Sequence, residues 1–243
     1  MTNTHTHNIL VQSTTTNKKT GDIPTIIVGT DYNKIVESCK TSECALLHKS
    51  LGGKGTYKEL GLKPCYAHKG SVGWGTKSIL KALQKGTKTI ADYSLKEGFR
   101  LSARTAKYFR LSAIGDASSL PIETIKAIIK EGKEYGLLPL GYTASLKAEH
   151  LKEICIKSCT SMNEADKAVK AGWRATTIFH NWNGERTFTT PDGNVGVVCP
   201  EQTQAIKDPN VSPRKKITCN TCGLCSQGNQ HPTRYKVIGF LSH

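Results

Sequence analysis

The residues with the clearest capacity for chemistry are cysteines near the carboxyl end of the chain. The segment TCNTCGLC at positions 218–225 has the spacing C-x2-C-x2-C, and Cys199, followed by Pro200, stands twenty positions before its first cysteine. Two-residue spacers let a chain turn with its thiolates converging, and Gly223 permits a tight turn. Three convergent thiolates and one distant cysteine beside a proline are typical of a [4Fe–4S] cluster. The predicted ligands are Cys199, Cys219, Cys222 and Cys225.

Zinc is the alternative occupant of this site, although zinc usually takes two separate C-x2-C pairs. A second group of cysteines lies near the amino end, at Cys39, Cys44 and Cys65. These three either hold a second cluster with one open iron or complete a site with the carboxyl-terminal group. The chain has nine cysteines and no basic region followed by an apolar stretch at its start, so we expect reduced thiols in a cytosol.

The middle of the chain alternates short apolar runs with helical patterns. The sequence predicts a strand over 108–114, a helix that begins at Pro121 and a second strand over 137–142. It further predicts a helix over 145–152, a strand over 154–159, a helix over 164–171 capped by Asn163, and strands over 174–179 and 193–198. Strands that alternate with helices in this way are typical of a parallel sheet. We expect an α/β fold, a partial or degraded (β/α) barrel with cysteine-rich irregular segments at both ends.

Loops that follow parallel strands carry the working residues in such folds. Asp116 follows the first predicted strand and is the best candidate for acid–base catalysis, although a turn residue in Gly-Asp-Ala-Ser-Ser has the same appearance. Arg110, Tyr142 and Ser158 are predicted to bind a cofactor or a polar ligand near these strand ends. Cys155 and Cys159 share one face of a strand, and we expect them in the core of the sheet rather than in a metal site.

The domain organisation follows from composition. Residues 1–23 are rich in threonine and asparagine, which predicts a loose, disordered arm, and residues 24–243 are expected to form one domain. Within it, 24–107 is rich in cysteine and glycine, 108–198 holds the βα repeats, and 199–243 holds the cysteine cluster. The apolar runs are far shorter than a bilayer requires, so we expect no membrane association.

The net charge of +15, with 34 Lys and Arg against 19 Asp and Glu, favours a polyanionic partner, and DNA or RNA is the commonest one. The basic residues are scattered, and the tightest cluster is Arg214-Lys215-Lys216. General solubility therefore explains the same composition.

Six strings in a fixed order carry a resemblance to a known family. They are KPCYA at 63–67, GDASSLP at 115–121, GYT at 141–143, AGWR at 171–174, CP at 199–200 and TCNTCGLC at 218–225. Over roughly Cys39 to Cys225 the chain resembles an uncharacterised family of cysteine-rich bacteriophage proteins. The first cysteine group is usually more compact in that family, so residues 45–64 look like an insertion.

The resemblance implies a phage source, the cytosol of a bacterial host and a metal or iron–sulfur site, without naming an activity. A looser architectural likeness is to radical S-adenosylmethionine enzymes, which combine a partial βα barrel with a three-cysteine cluster. Their C-x3-C-x2-C loop is absent here.

Two functions stay open on this reasoning. One is an iron–sulfur protein with a barrel-like pocket, acting as a redox or radical-type enzyme on a nucleotide or nucleic acid. The other is a non-catalytic nucleic-acid-binding protein with a structural zinc or iron–sulfur site.

Overall fold

The computed structural model describes residues 9–13, 20–41, 71–145, 147–212, 215–226 and 228–242. Within these residues nine strands form one sheet in the order β1-β2-β3-β4-β5-β6-β9-β8-β7. The strands are β1 (Ile9–Gln12), β2 (Thr25–Val28), β3 (Tyr108–Ile114), β4 (Leu138–Thr143), β5 (Cys155–Lys157), β6 (Ala175–Phe179), β7 (Thr187–Thr189), β8 (Val195–Val198) and β9 (Val237–Leu241). The α-helices are α1 (Tyr32–Thr41), α2 (Ser71–Gln84), α3 (Leu95–Ser102), α4 (Ile122–Glu134), α5 (Met162–Lys170), α6 (Pro200–Lys207) and α7 (Cys219–Cys222).

The predicted α/β class with parallel strands is confirmed, but the sheet is open and not closed into a barrel. Strands β2 to β6 are successive parallel neighbours, which is the order found in a barrel. Strand β9 then lies between β6 and β8 and is parallel to both. The described edge strands β1 and β7 are antiparallel to their neighbours. Because β9 occupies the place beside β6, the sequential winding that closes a barrel stops there.

The strongest sequence signals give the correct elements. Strand β3 has the predicted bounds, and Pro121 stands at the cap of α4. The cap of α5 is Ser161, whose Oγ accepts a hydrogen bond from the Glu164 N–H at 3.2 Å, so the prediction of Asn163 was wrong by two positions. Serine is a strong cap because its short side chain reaches the backbone two or three residues on.

The predicted helix over 145–152 was wrong, since the described residues there contain only a short 3-10 turn at Glu149–Leu151. The Thr143 hydroxyl accepts the Ser145 N–H at 3.1 Å, and the Ser145 hydroxyl accepts the Lys147 N–H at 3.3 Å. Such local side-chain bonds compete with helix formation.

Part of the predicted loose arm is a strand. Ile9, Leu10 and Val11 are at most 3% exposed, because β1 pairs with β2 and both faces of the pair are covered. The short run Ile-Leu-Val in a threonine-rich context is too brief to show strand periodicity, which explains the difference.

The two faces of the sheet are called the rear face and the front face below, and different helices cover each of them. On the rear face, helices α3, α4 and α5 pack against residues such as Phe109, Cys155 and Val237. On the front face, α1 and α2 cover the β1–β3 region around Ile27. The front face of the later strands carries Ile156, Val197 and Ile238, which alternate with rear-face residues.

The prediction that Cys155 and Cys159 belong to the core is confirmed, since both lie in the rear cluster at 0% and 5% exposure. Burial raises the pKa of the Cys159 thiol to about 12, and the nearby Glu164 carboxylate adds to this effect. Burial also raises the pKa of the Cys155 thiol.

None of the helices in the described ranges has the length and apolar character needed to cross a bilayer.

Burial predicts that two helical isoleucines, Ile128 and Ile206, contribute differently to the free energy of unfolding. Ile128 is 0% exposed under the sheet, so Ile128→Ala should lower the free energy of unfolding by about 2–5 kcal/mol. Ile206 is 58% exposed in α6, and Ile206→Ala should change the same quantity by less than about 0.5 kcal/mol. Urea unfolding followed by circular dichroism measures both, and equal losses would contradict the placement of α4.

The raised thiol pKa of Cys159 predicts resistance to alkylation. At pH 8 only on the order of one Cys159 thiol in ten thousand is ionised, and the thiolate is the reactive form. In the folded, metal-free protein iodoacetamide should therefore leave Cys159 unmodified and label the partly exposed Cys222, and in urea it should label both. Peptide mass spectrometry measures the labelling, and equal native rates would contradict the burial of Cys159.

Candidate metal centre

The carboxyl-terminal cysteines lie on a tight turn, residues 218–226, called the cysteine turn below. The Thr218 hydroxyl accepts the Thr221 N–H at 3.3 Å, and the Thr221 hydroxyl accepts the Thr218 N–H at 2.9 Å. This reciprocal pair is a capping box, which starts the one-turn helix α7. Cys219 and Cys222 are three positions apart on that helix and so share one side of it. The two threonines therefore fix the helical turn that places the Cys219 and Cys222 thiols on the same side.

Gly223 ends the helix in a conformation that requires glycine. Its φ is +63°, in the left-handed region, and the chain turns there toward Cys225. A Cβ atom at Gly223 would also lie 2.1 Å from the Tyr108 hydroxyl oxygen. The Tyr108 side chain therefore packs directly against the backbone of the turn at Gly223.

Asn220 fastens the cysteine turn to two other parts of the chain. Its Oδ1 accepts the Lys107 N–H at 2.8 Å, and its Nδ2 donates to the Thr105 carbonyl at 3.0 Å. Its backbone N–H donates to the Thr20 carbonyl at 3.1 Å. Asn220, the first spacer residue of the motif, was not singled out from the sequence, because its partners are more than one hundred positions away.

Cys199 reaches the same region from a different strand. It follows β8, caps α6 ahead of Pro200, and is 9% exposed. Its backbone N–H donates to the Gly239 carbonyl of β9 at 2.8 Å, which fixes the position of the strand end. Helix α6 in turn contacts α7.

Cys225 lies against the front face, beside Tyr142 and over Ile156, Val197 and Ile238. The residue as a whole is partly exposed, but its thiol is enclosed, and burial raises the pKa of that thiol. A hydrogen bond with the Tyr142 hydroxyl lowers the pKa of the thiol again.

The other three predicted ligands act electrostatically on Cys225. Negative charge on Cys219, Cys199 and Cys222 raises the pKa of the Cys225 thiol. These three cysteines therefore lie within electrostatic range of Cys225. The structure thus brings together four cysteines from two segments.

The four thiols are suitable metal ligands, but they do not form a complete coordination site in this structure. Thiolates suit both an iron–sulfur cluster and zinc. In the part of the chain that the structure describes, no group of three or more Cys, His, Asp or Glu side chains is already arranged to hold a metal ion. The cysteines are therefore neighbours rather than a preformed coordination shell.

Two of the three predicted cofactor-binding residues lie near these cysteines. Burial raises the pKa of Tyr142, the charges of Cys225 and Cys219 raise it further, and the Arg110 charge lowers it. The Tyr142 ring packs edge-on against Phe240, with 6.0 Å between ring centroids. Tyr142 and Arg110 thus lie near Cys225 on the front face, whereas Cys219 also packs against the rear cluster.

Ser158 and Asp116 are placed differently. Ser158 is exposed at the end of β5, where its N–H donates to the Thr143 carbonyl at 2.8 Å. The Asp116 carboxylate accepts hydrogen bonds from the Ser118 N–H, the Thr143 hydroxyl and the Ala144 N–H at 2.9 to 3.0 Å. These bonds join the loops after β3 and β4. Acid–base catalysis by Asp116 stays a prediction.

The cysteine turn docks beside the amino end of β3. Its anchors, Thr105 and Lys107, lie just before β3, and Tyr108 begins that strand. Only Cys199 follows the carboxyl end of a strand. The physical reason is that Asn220 finds its partners at the amino end of β3.

The second cysteine group is described in part. Cys39 lies in α1 and is partly buried, and α1 packs on the front face through Ile35. Cys44 and Cys65 lie outside the described residues. A second site stays a prediction.

Arg174 is a site residue that sequence reasoning passed over. It is 2% exposed just before β6, and its Nη2 donates to the Leu224 carbonyl at 2.8 Å. Its Nη1 donates to the Gly228 carbonyl at 3.0 Å and, at 3.5 Å, to that of Ser226. The sequence did contain a signal for this residue. A charged residue between Trp173 and a predicted β-strand occupies a position that is normally buried and apolar, and charged residues are seldom buried without partners.

No protein-family model, curated protein or solved structure matches this chain. Membership of the bacteriophage family therefore stays a prediction from the six strings.

Proposed function

We propose that this chain is an iron–sulfur protein that holds a [4Fe–4S] cluster on the front face of its sheet. The observation that supports the proposal is that three cysteines, Cys199, Cys219 and Cys222, lie near a fourth, Cys225, although they come from two segments of the chain. Ionised thiols at these positions would repel one another, as the raised pKa of the Cys225 thiol reflects, and a bound cation would remove that repulsion. The proposed ligands are Cys199, Cys219, Cys222 and Cys225.

Iron–sulfur is favoured over zinc by the distribution of the ligands. Three of the four thiols come from seven consecutive residues of one turn, and the fourth comes from the end of β8. Structural zinc usually draws two ligands from each of two similar turns. Three cysteines on one turn and one distant cysteine match ferredoxin-type ligation better.

The residues around the cysteines suit a redox or radical-type enzyme. A bound cluster would supply one-electron chemistry. Tyr142 donates a hydrogen bond to Cys225, and such bonds to sulfur tune the potential of a cluster. Arg110 offers a guanidinium on the same face for an anionic group, such as the phosphate of a nucleotide. We propose a nucleotide or nucleic acid as the substrate class on this ground and on the net charge of +15.

Iron content tests the proposal directly. Protein purified anaerobically and reconstituted with iron and sulfide should be brown and carry about four irons per chain, or about eight if the amino-terminal cysteines hold a second cluster. Cys225→Ser should remove most of the visible absorption. Cys159→Ala, a cysteine change in the rear core, should leave iron content per folded chain unchanged.

A colourless wild-type protein without iron would contradict the iron–sulfur assignment. Stoichiometric zinc in that protein would favour the other metal. Equal iron content in Cys225→Ser and wild type would remove Cys225 from the ligand set.

A second candidate is a nucleic-acid-binding protein whose metal is structural. The contacts of Asn220 favour it, because a metal in the cysteine turn would help to clamp the Thr20 and Thr105 segments onto the sheet. The basic composition would then supply the affinity for nucleic acid.

Salt dependence separates the second candidate from the first. Its affinity for a labelled DNA duplex, measured by fluorescence anisotropy, should fall roughly a thousandfold between about 50 and 200 mM salt. Absence of binding at low salt would contradict this candidate and leave the iron–sulfur proposal intact.

A further inference from the structure

Arg174 is a buried cation that donates only to uncharged acceptors. Its guanidinium donates to the carbonyl oxygens of Leu224, Ser226 and Gly228, and its Nε donates to the Tyr235 carbonyl at 3.4 Å. In the described residues no carboxylate lies within ion-pair distance of it. All of its hydrogen bonds therefore satisfy backbone groups and none of them balances its charge.

An unbalanced buried charge is unfavourable, and arginine cannot relieve it by losing its proton. The guanidinium stays protonated at any ordinary pH, and a buried charge without a partner strongly destabilises a fold. A nearby anion would offset this cost. In this structure the neighbouring groups that can become anionic are the Cys225 thiol and the Tyr142 hydroxyl, and both act on Arg174 electrostatically.

A loaded cysteine site supplies that anion. Four thiolates carry more negative charge than a zinc ion or a [4Fe–4S] core neutralises, so the whole centre is negative. Two of the carbonyls held by Arg174 belong to Leu224 and Ser226, the residues on either side of Cys225. The cation is thus fixed beside one ligand by the backbone of that ligand's own turn.

We infer that Arg174 is the counter-charge of the metal centre, and that its positive charge stabilises the loaded site and favours its more reduced state. This inference rests on the proposed function. Arg174 touches neither substrate nor cluster, so it is a positioning residue with an electrostatic role. Reduction adds negative charge to the centre, and a fixed neighbouring cation lowers the free energy of that state.

The test compares three variants with wild type. Arg174→Gln removes the charge and keeps an amide donor, whereas Arg174→Lys keeps the charge and loses the planar fork of donors. Arg234→Gln is the matched control, because Arg234 is exposed on the same carboxyl-terminal segment and its loss changes the net charge equally. Each protein is reconstituted anaerobically with iron and sulfide, and circular dichroism checks its fold. The two measurements are the reduction potential and the half-life of bound iron in excess chelator.

Arg174→Gln should shift the potential to more negative values and shorten the half-life about tenfold or more. Arg174→Lys should lie closer to wild type than Arg174→Gln in both measurements, and Arg234→Gln should match wild type. An unshifted potential in Arg174→Gln would overturn the inference, as would equal shifts in the glutamine and lysine variants.

If Arg174→Gln does not fold, Arg174→Lys decides alone: a wild-type potential supports the role of the charge, and a more negative one overturns it. A wild-type protein that takes up no iron would overturn the proposed function together with this inference. A wild-type cluster with an insensitive Arg174 would overturn this inference only.

Discussion

The candidate site depends on the docking of one short turn against the front face of the sheet. Asn220 ties that turn to backbone atoms of two distant segments, and Arg174 holds the carbonyls that follow. Nearly all of these contacts end on main-chain atoms, so they fix where the turn lies whatever side chains surround it. This docking keeps Cys225 within electrostatic range of Cys199, which lies between β8 and α6.

The sequence predicted the elements whose signals are local and strong. Strand β3 is a seven-residue run with an apolar core, and Pro121 marks the start of α4 because its fixed φ suits a helix start. Strands β1, β2, β7 and β9 were not predicted, and the amino-terminal segment expected to be irregular contains helices α1, α2 and α3. Strand β7 has only three residues. Strands β1, β2 and β9 have four or five and are buried on both faces or nearly so, and such short runs carry no periodicity. Their places in the sheet depend on partners that are far away in sequence.

The candidate site was predictable in composition but not in position. The spacing of Cys219, Cys222 and Cys225 reflects local geometry, since two-residue spacers and a glycine make a turn wherever they occur. The end of the sheet at which that turn docks is decided by Asn220 and its partners more than one hundred positions earlier. Asp116 differs from the cysteines, because its position was predicted but its carboxylate accepts hydrogen bonds from the two loops that it joins.

The placement of β9 has a consequence for how the protein is made. Strand β9 lies between β6 and β8 and pairs with both, so these two strands are not joined in one sheet until residues 237–241 have been made. A ribosome therefore releases the β7–β8 hairpin and Cys199 well before their neighbour emerges. The amino-terminal half of the sheet can assemble before that point, but the front face beneath the cysteines is completed only once residues 237–241 have been made.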